Sequence, residues 1–171
     1  SGIKAGLIGL TAVAIFMILW YRLPGLVAVV SLAFYAVLIL ALFKLFGVTL
    51  TAAGMAGFIL SLGIAVDANV LIFERLKEEL GAGKRIHEAI LDGFTRAWLS
   101  IRDSNLSSLL SAVVLFWFGT SLIKGFALTL SIGIMVSMFT AITVTRTFLL
   151  ALGAKHKIGI NKLLFSVGLK L

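Results

Sequence analysis

Five long runs with few charged residues constrain what this chain can fold into more than any other feature. Each run is long enough to cross about 30 Å of hydrocarbon as a helix that rises about 1.5 Å per residue. Because a bilayer interior admits only helices or closed barrels, and no run alternates apolar and polar residues, the sequence predicts an all-α integral membrane protein. The predicted five-helix transmembrane bundle occupies residues 1–152, with spans at about 5–21, 23–43, 45–73, 104–123 and 125–147.

The composition excludes an ordinary soluble domain. Of the 171 residues, 61% are hydrophobic and 13% are charged, whereas average proteins have about half and about a quarter. The formal charge of +8 does not indicate a nucleic-acid partner, because the positive residues lie mainly at the ends of apolar runs. There they set orientation and contact anionic lipids. Cysteine is absent and the two histidines are far apart, so we expect no metal site, no cofactor and no enzyme chemistry.

The distribution of lysine and arginine predicts the orientation of the chain. Twelve of the fifteen lie in segments that the predicted spans place on one side of the membrane, and the other three are Lys4, Lys44 and Lys124. The positive-inside rule then puts loop 74–102 and the basic tail 153–171 in the cytoplasm and the start of the chain outside. We further expect another span and an exterior domain upstream of Ser1 in the gene product.

Loop 74–102 has a helical pattern of its own. After a glycine-containing break at 81–83, apolar residues from Ile86 to Trp98 recur at helical spacing, with charged residues on the other faces. The pattern predicts an amphipathic helix that lies along the inner interface or under the bundle. A docking role for this helix and an ordinary packing role are equally compatible with the sequence.

Asp67 is a carboxylate inside the third run, about 10 Å of helix from the charged pair Glu74 and Arg75. A charged carboxylate in a span costs about 2.5–3.5 kcal/mol on insertion scales, and ionisable groups in spans are mostly functional. We therefore interpret Asp67 as a proton-relay residue that alternates between a neutral and an ionised form. The alternative is a structural aspartate that stays neutral or pairs with a hydroxyl group.

Small residues recur every four positions along the third span, which lets a neighbouring helix approach closely. Asn69 lies on the side nearly opposite Asp67, and we expect its amide to hydrogen-bond another helix. The fifth span repeats the pattern of small and hydroxyl residues. The positions predicted to pack helices together are Ala53, Gly57, Ser61, Gly63, Asn69, Gly133 and Ser137.

The fourth span opens with the polar segment "RDSNLSSLLS". Asp103 is predicted to cap this helix, where the helix dipole favours a negative charge. A role for Asp103 in proton handling is the weaker alternative. Asn105, Ser107 and Ser111 belong to the same polar stripe, which either holds helices together or lines a path for water towards Asp67.

The segments "GIAVDANVLIFERLKEEL" at 63–80 and "GFTRAWLSIRDSNLSSLLS" at 93–111, continuing to 146, resemble the SecD family of bacterial protein-export subunits. "GIAVD" also fits the Gly-x-x-x-Asp pattern of the related resistance-nodulation-division transporters. The resemblance implies half of such a transporter membrane domain, in which Asp67 conducts protons and faces charged residues of a SecF-like subunit. Asp103 and Asn105 match the family's "DANL" segment, here "DSNL".

The resemblance also implies the partners and the location of the chain. We expect a SecF-like membrane subunit, the Sec translocon channel and, through an exterior domain, a translocating polypeptide. The expected location is the bacterial inner membrane, where the subunit uses the proton motive force to promote protein translocation. Two alternatives remain: a fragment of another proton-driven exporter of the same superfamily, or a membrane scaffold in which Asp67 only holds helices together.

Overall fold

The computed structural model describes the backbone of residues 2–155 and the side chains of Lys4 and residues 8–153, and this part of the chain is helical apart from short connections. Most of the predicted tail 153–171 lies outside the described residues. The elements are α1 (Gly2–Tyr21), α2 (Leu23–Leu45), α3 (Ala52–Gly81), α4 (Ile86–Phe118), α5 (Ser121–Thr140), a π-helical turn (Ala141–Thr145) and α6 (Arg146–Lys155).

Helix α3 is the central element of the bundle, because it packs against both α5 and α4. Helices α1 and α2 form a hairpin, and α2 also contacts α5 and the π-helical turn. One buried cluster lies at the end of the bundle that carries the α3–α4 connection, around Tyr21, Phe73 and Ile90. A second cluster lies along α2, around Tyr35 and Ile39. These clusters fix α3 between its neighbours and leave one of its faces open.

The connections follow local backbone chemistry. The turn between α1 and α2 is tight because Gly25 lies directly against the backbone of Met17, where any β-carbon would collide. Arg22 within that turn has a positive φ of 51°, a conformation that a non-glycine residue adopts only at a cost of about 1–3 kcal/mol. Between α2 and α3, Gly47 also has a positive φ, and the hydroxyl of Thr51 accepts a hydrogen bond from the amide of Gly54 and caps α3.

The predicted amphipathic helix and the predicted fourth span are one continuous helix, α4. Asp103 therefore lies in the middle of a 33-residue helix, and the predicted helix cap at Asp103 is wrong. The physical reason is that residues 94–118 contain no glycine or proline, so nothing in this segment ends the helix and its polar residues are accommodated on an exposed face. The break falls instead at Gly119 and Thr120, before α5 begins at Ser121.

Two other predicted boundaries also differ. The third span was expected to begin near residue 45, but α3 begins at Ala52 after the Thr51 cap and runs to Gly81. The fifth span was expected at 125–147, whereas the helix there begins at Ser121 and passes through the π-helical turn into α6. Within the described residues, three helices are long and apolar enough to cross a membrane: Leu23–Leu45, Ala52–Gly81 and Ser121–Gly153. The apolar part of α1, Ile8–Tyr21, is shorter.

Ion pairs hold the α3–α4 hairpin together beyond the predicted membrane boundary. The carboxylate of Glu79, only 7% exposed, contacts Lys84 and Arg96, each at 2.5 Å. Hydrogen bonds from Lys84 and then from Arg96 lower the pKa of Glu79. Lys84 also contacts Asp92 at 2.6 Å, and this contact, followed by that with Glu79, raises the pKa of Lys84. Charge pairing therefore fixes the N-terminal part of α4 beside the end of α3.

Candidate functional site

Asp67 lies on the open face of α3. Its side chain is exposed, and Ala56, Leu60 and Gly63 share this exposed face at helical spacing. Nothing lies within 4 Å of the position that a β-carbon on Gly63 would take. Within the described part of the chain, no residue forms an ion pair or hydrogen bond with Asp67. The carboxylate therefore faces outward from this chain at membrane depth.

Helix α4, which packs against α3, carries a second exposed polar stripe. The side chains of Asp103, Ser107 and Ser111 are exposed at a spacing of four residues. Asp103 pairs with its neighbour Arg102 at 2.9 Å. The hydroxyl of Ser107 donates to the carbonyl of Asp103, and that of Ser111 donates to the carbonyl of Ser107, both at 3.0 Å. These hydroxyls bond within their own helix, and their outer lone pairs remain open to whatever covers this face.

Asn105 differs from the rest of the predicted polar stripe because its side chain is buried. Its residue is 4% exposed, and its Nδ2 atom has no hydrogen-bond partner among the described residues. The buried hydroxyl of Ser137 in α5 likewise has no partner there. Ser137 is a packing residue of the bundle interior, as its small size and position on α5 predict.

A different side of α3 forms the close-packed interface with α5. Gly57 lies against the backbone of Phe126 and the hydroxyl of Thr129, and that hydroxyl donates to the carbonyl of Gly54 at 2.9 Å. One turn further, Gly133 lies against Ser61. The hydroxyl of Ser61 in turn lies 2.6 Å from that of Tyr35. The small residues expected to pack helices together therefore do so on this side.

Two of the predicted packing positions behave differently. Ala53 is half-buried near the start of α3. Gly63 is exposed, and nothing among the described residues lies within 4 Å of its β-carbon position, so its predicted role in helix packing stays a prediction. Gly63 shares the face of Asp67, which this chain leaves uncovered.

Asn69 forms the hydrogen bond to another helix that the sequence predicts. Its Oδ1 atom accepts from the hydroxyl of Thr145 at 2.7 Å, and the hydroxyl of Ser31 lies 2.8 Å from the same Thr145 oxygen. All three side chains are buried. Thr145 ends the π-helical turn, a feature that is frequent at functional sites. The contact joins α2, α3 and the end of α5 at the level of Asp67.

Sequence reasoning did not single out Ser31, Tyr35 or Thr145 as partners in these contacts. Ser31 and Tyr35 are hydroxyl residues within an apolar run, and that is the signal by which they could have been found, whereas Thr145 is one of several threonines near the end of its span. Such residues occur in spans where a hydrogen-bond partner is available across a helix interface. Among the residues that the structure describes, no group of three or more potential metal ligands lies close enough together to hold a metal ion.

A helical membrane bundle whose intramembrane carboxylate has no partner among the described residues is typical of membrane proteins with a substrate or ion pathway. Residues 1–155 match the family model described as protein export membrane protein SecD/SecF, C-terminal. The chain belongs to this family.

Relatives and solved structures agree with that assignment. The chain is 65% identical over 151 residues to the protein translocase subunit SecD of Thermobaculum terrenum, and 60% identical over 148 residues to that of Synechocystis. Its fold matches the crystal structure of SecDF, a translocon-associated membrane protein from Thermus thermophilus, with a TM-score of 0.88 over 92% of this chain and a sequence identity of 42%. A structure of SecDF in its super-membrane-facing form gives a TM-score of 0.87.

The chain spans only part of these proteins. The match covers 86% of this chain in each case, but 29% of the Thermobaculum relative and 31% of the Synechocystis relative. It covers 22% of the Thermus SecDF chain. The similarity therefore concerns one membrane region of a longer protein, and the fold is that of half a SecDF membrane domain.

Proposed function

We propose that this chain is the membrane part of a SecD-like subunit that uses the proton motive force to promote protein translocation across the cytoplasmic membrane. It works with a SecF-like subunit and the Sec translocon, without covalent chemistry of its own. The observation that carries the proposal is the outward-facing carboxylate of Asp67 on a transmembrane helix, without an ion pair or hydrogen bond in the part of the chain that the structure describes. The names of the relatives, protein translocase subunits SecD, support the transport process.

The open face of α3 is suited to a second membrane subunit rather than to lipid. A carboxylate exposed to hydrocarbon would cost about 2.5–3.5 kcal/mol or more, so a protein surface that brings charge or water must cover it. Gly63 beside Asp67 leaves room for a close helix approach. A SecF-like subunit that supplies a cation would stabilise the ionised form of Asp67, and protonation would remove that attraction.

Protonation of Asp67 would thereby change which arrangement of the two subunits is favoured. A ligand, here a proton, shifts a conformational equilibrium only by its different affinity for the two states. A carboxylate that is paired in one arrangement and isolated in the other has such a difference. The exposed stripe of Asp103, Ser107 and Ser111 would line the water path to this group, and Asn105 would support it from inside the bundle.

The proposed orientation follows from charge and fold together. Loop 74–102 and the basic tail 153–171 lie in the cytoplasm with most of the lysine and arginine residues, in contact with anionic lipid. The start of α1 is exterior. A translocating polypeptide would contact an exterior domain that lies elsewhere in the full-length protein.

The test compares Asp67→Asn with Asp92→Asn in the full-length protein, reconstituted with its partner subunit and translocon in vesicles. Asparagine keeps the shape and much of the hydrogen bonding of Asp67 but cannot ionise. Asp92 is a matched control because it is an exposed carboxylate of the hairpin, paired with Lys84. Two quantities are measured: proton flux, with a trapped pH dye, and export of a substrate protein under an imposed proton gradient.

We expect Asp67→Asn to abolish both the proton flux and the gradient-dependent part of export, and Asp92→Asn to leave both near wild type. Retention of both activities in Asp67→Asn would leave only a scaffold role for this residue. Loss in both variants would show that the assay reports folding of the assembly rather than proton transfer.

A further inference from the structure

A crevice opens between α4 and α5 at the end of the bundle opposite the α3–α4 hairpin. It is open to the surroundings, has a volume of about 200 Å³, and is lined by Val113, Phe116, Trp117, Leu128 and Ser131. The four apolar side chains are all exposed, Trp117 by 75%. An apolar depression of this kind on a membrane helix pair takes an apolar occupant, because it offers little to a polar one.

The crevice lies away from the face proposed for the partner subunit. Val113 follows Ser111 by two residues, which places it about 160° away around α4. The Ser111 side belongs to the exposed polar stripe, whereas the Val113 side turns towards α5. The crevice therefore faces the bilayer when the polar stripe is covered by another subunit.

Lys124 provides a cation one helical turn before Leu128, the first α5 residue of the crevice. Lys124 precedes Leu128 by four residues and Ser131 by seven, so all three share one face of α5. The side chain of Lys124 is exposed, and the crevice begins one helical turn below it. A molecule with an anionic head and an apolar tail would match this order of charge and crevice.

The expected depths of Lys124 and Ser131 in the bilayer agree with a charged head above an apolar crevice. Lys124 and Arg146 are 22 residues apart, about 33 Å along a helix, which matches the hydrocarbon thickness of about 30 Å. Lys124 therefore lies at the level of the phosphate groups of one leaflet. Ser131 lies about 10 Å deeper, at the level of the acyl chains. Trp117, at the end of α4, lies near the interface that tryptophan favours.

We propose that this crevice is a phospholipid site, in which Lys124 holds the headgroup phosphate and the α4–α5 crevice holds an acyl chain. The lipid belongs to the leaflet on the side opposite the α3–α4 hairpin. The site does not depend on Asp67 or on proton coupling, and it requires only that the chain spans the bilayer. A lipid bound here would add to the packing of α4 against α5 around Ala112 and Leu130, near the short Gly119–Thr120 connection.

Photolabelling in vesicles tests the site. The full-length protein is reconstituted in phosphatidylcholine containing a few per cent of phosphatidylglycerol whose acyl chain carries a diazirine, and labelled peptides are mapped by mass spectrometry. The reference surface is the exposed face of α1, with Ile8 at 70% and Leu19 at 75% exposure. Lys124→Gln removes the cation, Lys44→Gln removes another exposed cation of the same end, and Ser131→Phe fills the crevice.

We expect peptides from 113–117 and 128–131 to be labelled more strongly than α1. Labelling of these peptides should fall about fivefold in Lys124→Gln, because one lysine contributes about 1 kcal/mol to the binding of anionic lipid. It should also fall in Ser131→Phe. Lys44→Gln should be labelled like wild type. Size-exclusion profiles of all variants check folding. The proposal would be overturned if the crevice peptides were labelled no more strongly than α1, or if their labelling were unchanged in Lys124→Gln. It would also be overturned if the crevice peptides were not labelled because another protein covers them.

Discussion

Replacing Gly57 by alanine tests the packing of the central helix pair. A β-carbon at this position would lie 2.5 Å from the carbonyl oxygen of Phe126, and it would also collide with the hydroxyl of Thr129. An ordinary contact begins near 3.4 Å, so the backbones of α3 and α5 would have to separate by about 0.9 Å. Because the Phe126 oxygen belongs to the backbone of α5, no side-chain rotation can relieve this part of the collision.

The magnitude follows from two contributions. Overpacking of a close helix contact costs about 1–3 kcal/mol. Separation of the helices also weakens the 2.9 Å hydrogen bond from Thr129 to the carbonyl of Gly54, a loss of about 1 kcal/mol. A chain of this size loses about 2–4 °C of melting midpoint per kcal/mol, so we expect Gly57→Ala to lower the midpoint by roughly 5–15 °C.

The assay measures the fraction of protein that stays monodisperse in detergent after heating, without the partner subunit. Gly63→Ala is the matched control on the same helix, because nothing lies within 4 Å of its β-carbon position. That control should melt at or slightly above wild type, since alanine favours a helix over glycine. If Gly57→Ala and Gly63→Ala melt together, the described contact between α3 and α5 is not the one that limits stability.

Two further substitutions probe buried and charged contacts. Thr145→Val leaves the Oδ1 atom of Asn69 buried without its donor, so we expect the free energy of unfolding, measured by thermal unfolding, to fall by about 1–3 kcal/mol. Thr145→Ser keeps the hydroxyl and should be near wild type. Equal losses in the two variants would contradict the hydrogen-bond argument. Glu79→Gln should speed hydrogen exchange in the α3–α4 hairpin by removing its contacts with Lys84 and Arg96. Because the pKa of Glu79 is lowered in the folded hairpin, its stabilising effect should persist from neutral pH down to about 4.5 and disappear as the pH falls further. Exchange in Glu79→Gln should therefore match wild type only at the acid end, and a constant difference at every pH would refute this.

The sequence predicted the helical membrane class correctly, and it placed Asp67 within a helix, because both depend on local composition. A run without charges must become a helix in a bilayer whatever its neighbours are. The boundaries were less accurate because they depend on caps and on the absence of breakers. Asp103 resembles a helix cap in isolation, yet residues 86–118 form one helix through it.

The sequence predicted that a buried polar residue bonds to another helix, but not which residue is its partner. Asn69 was expected to bond another helix, but nothing in the sequence identified Thr145, 76 residues away, as its donor. The π-helical turn that ends at Thr145 has no distinctive residue pattern either. It is stabilised by contacts with α2 and α3, which form only when the helices pack.

The sequence alone therefore determines which parts of this chain enter the membrane as helices, because every backbone polar group in the bilayer must be hydrogen-bonded within its own segment. It does not settle which face of each helix meets another helix. Gly57 and Gly63 lie on the same helix with the same chemistry, yet one is buried against α5 and the other is open. That difference arises from where α5 lies, since the burial of a helix face depends on the surface packed against it.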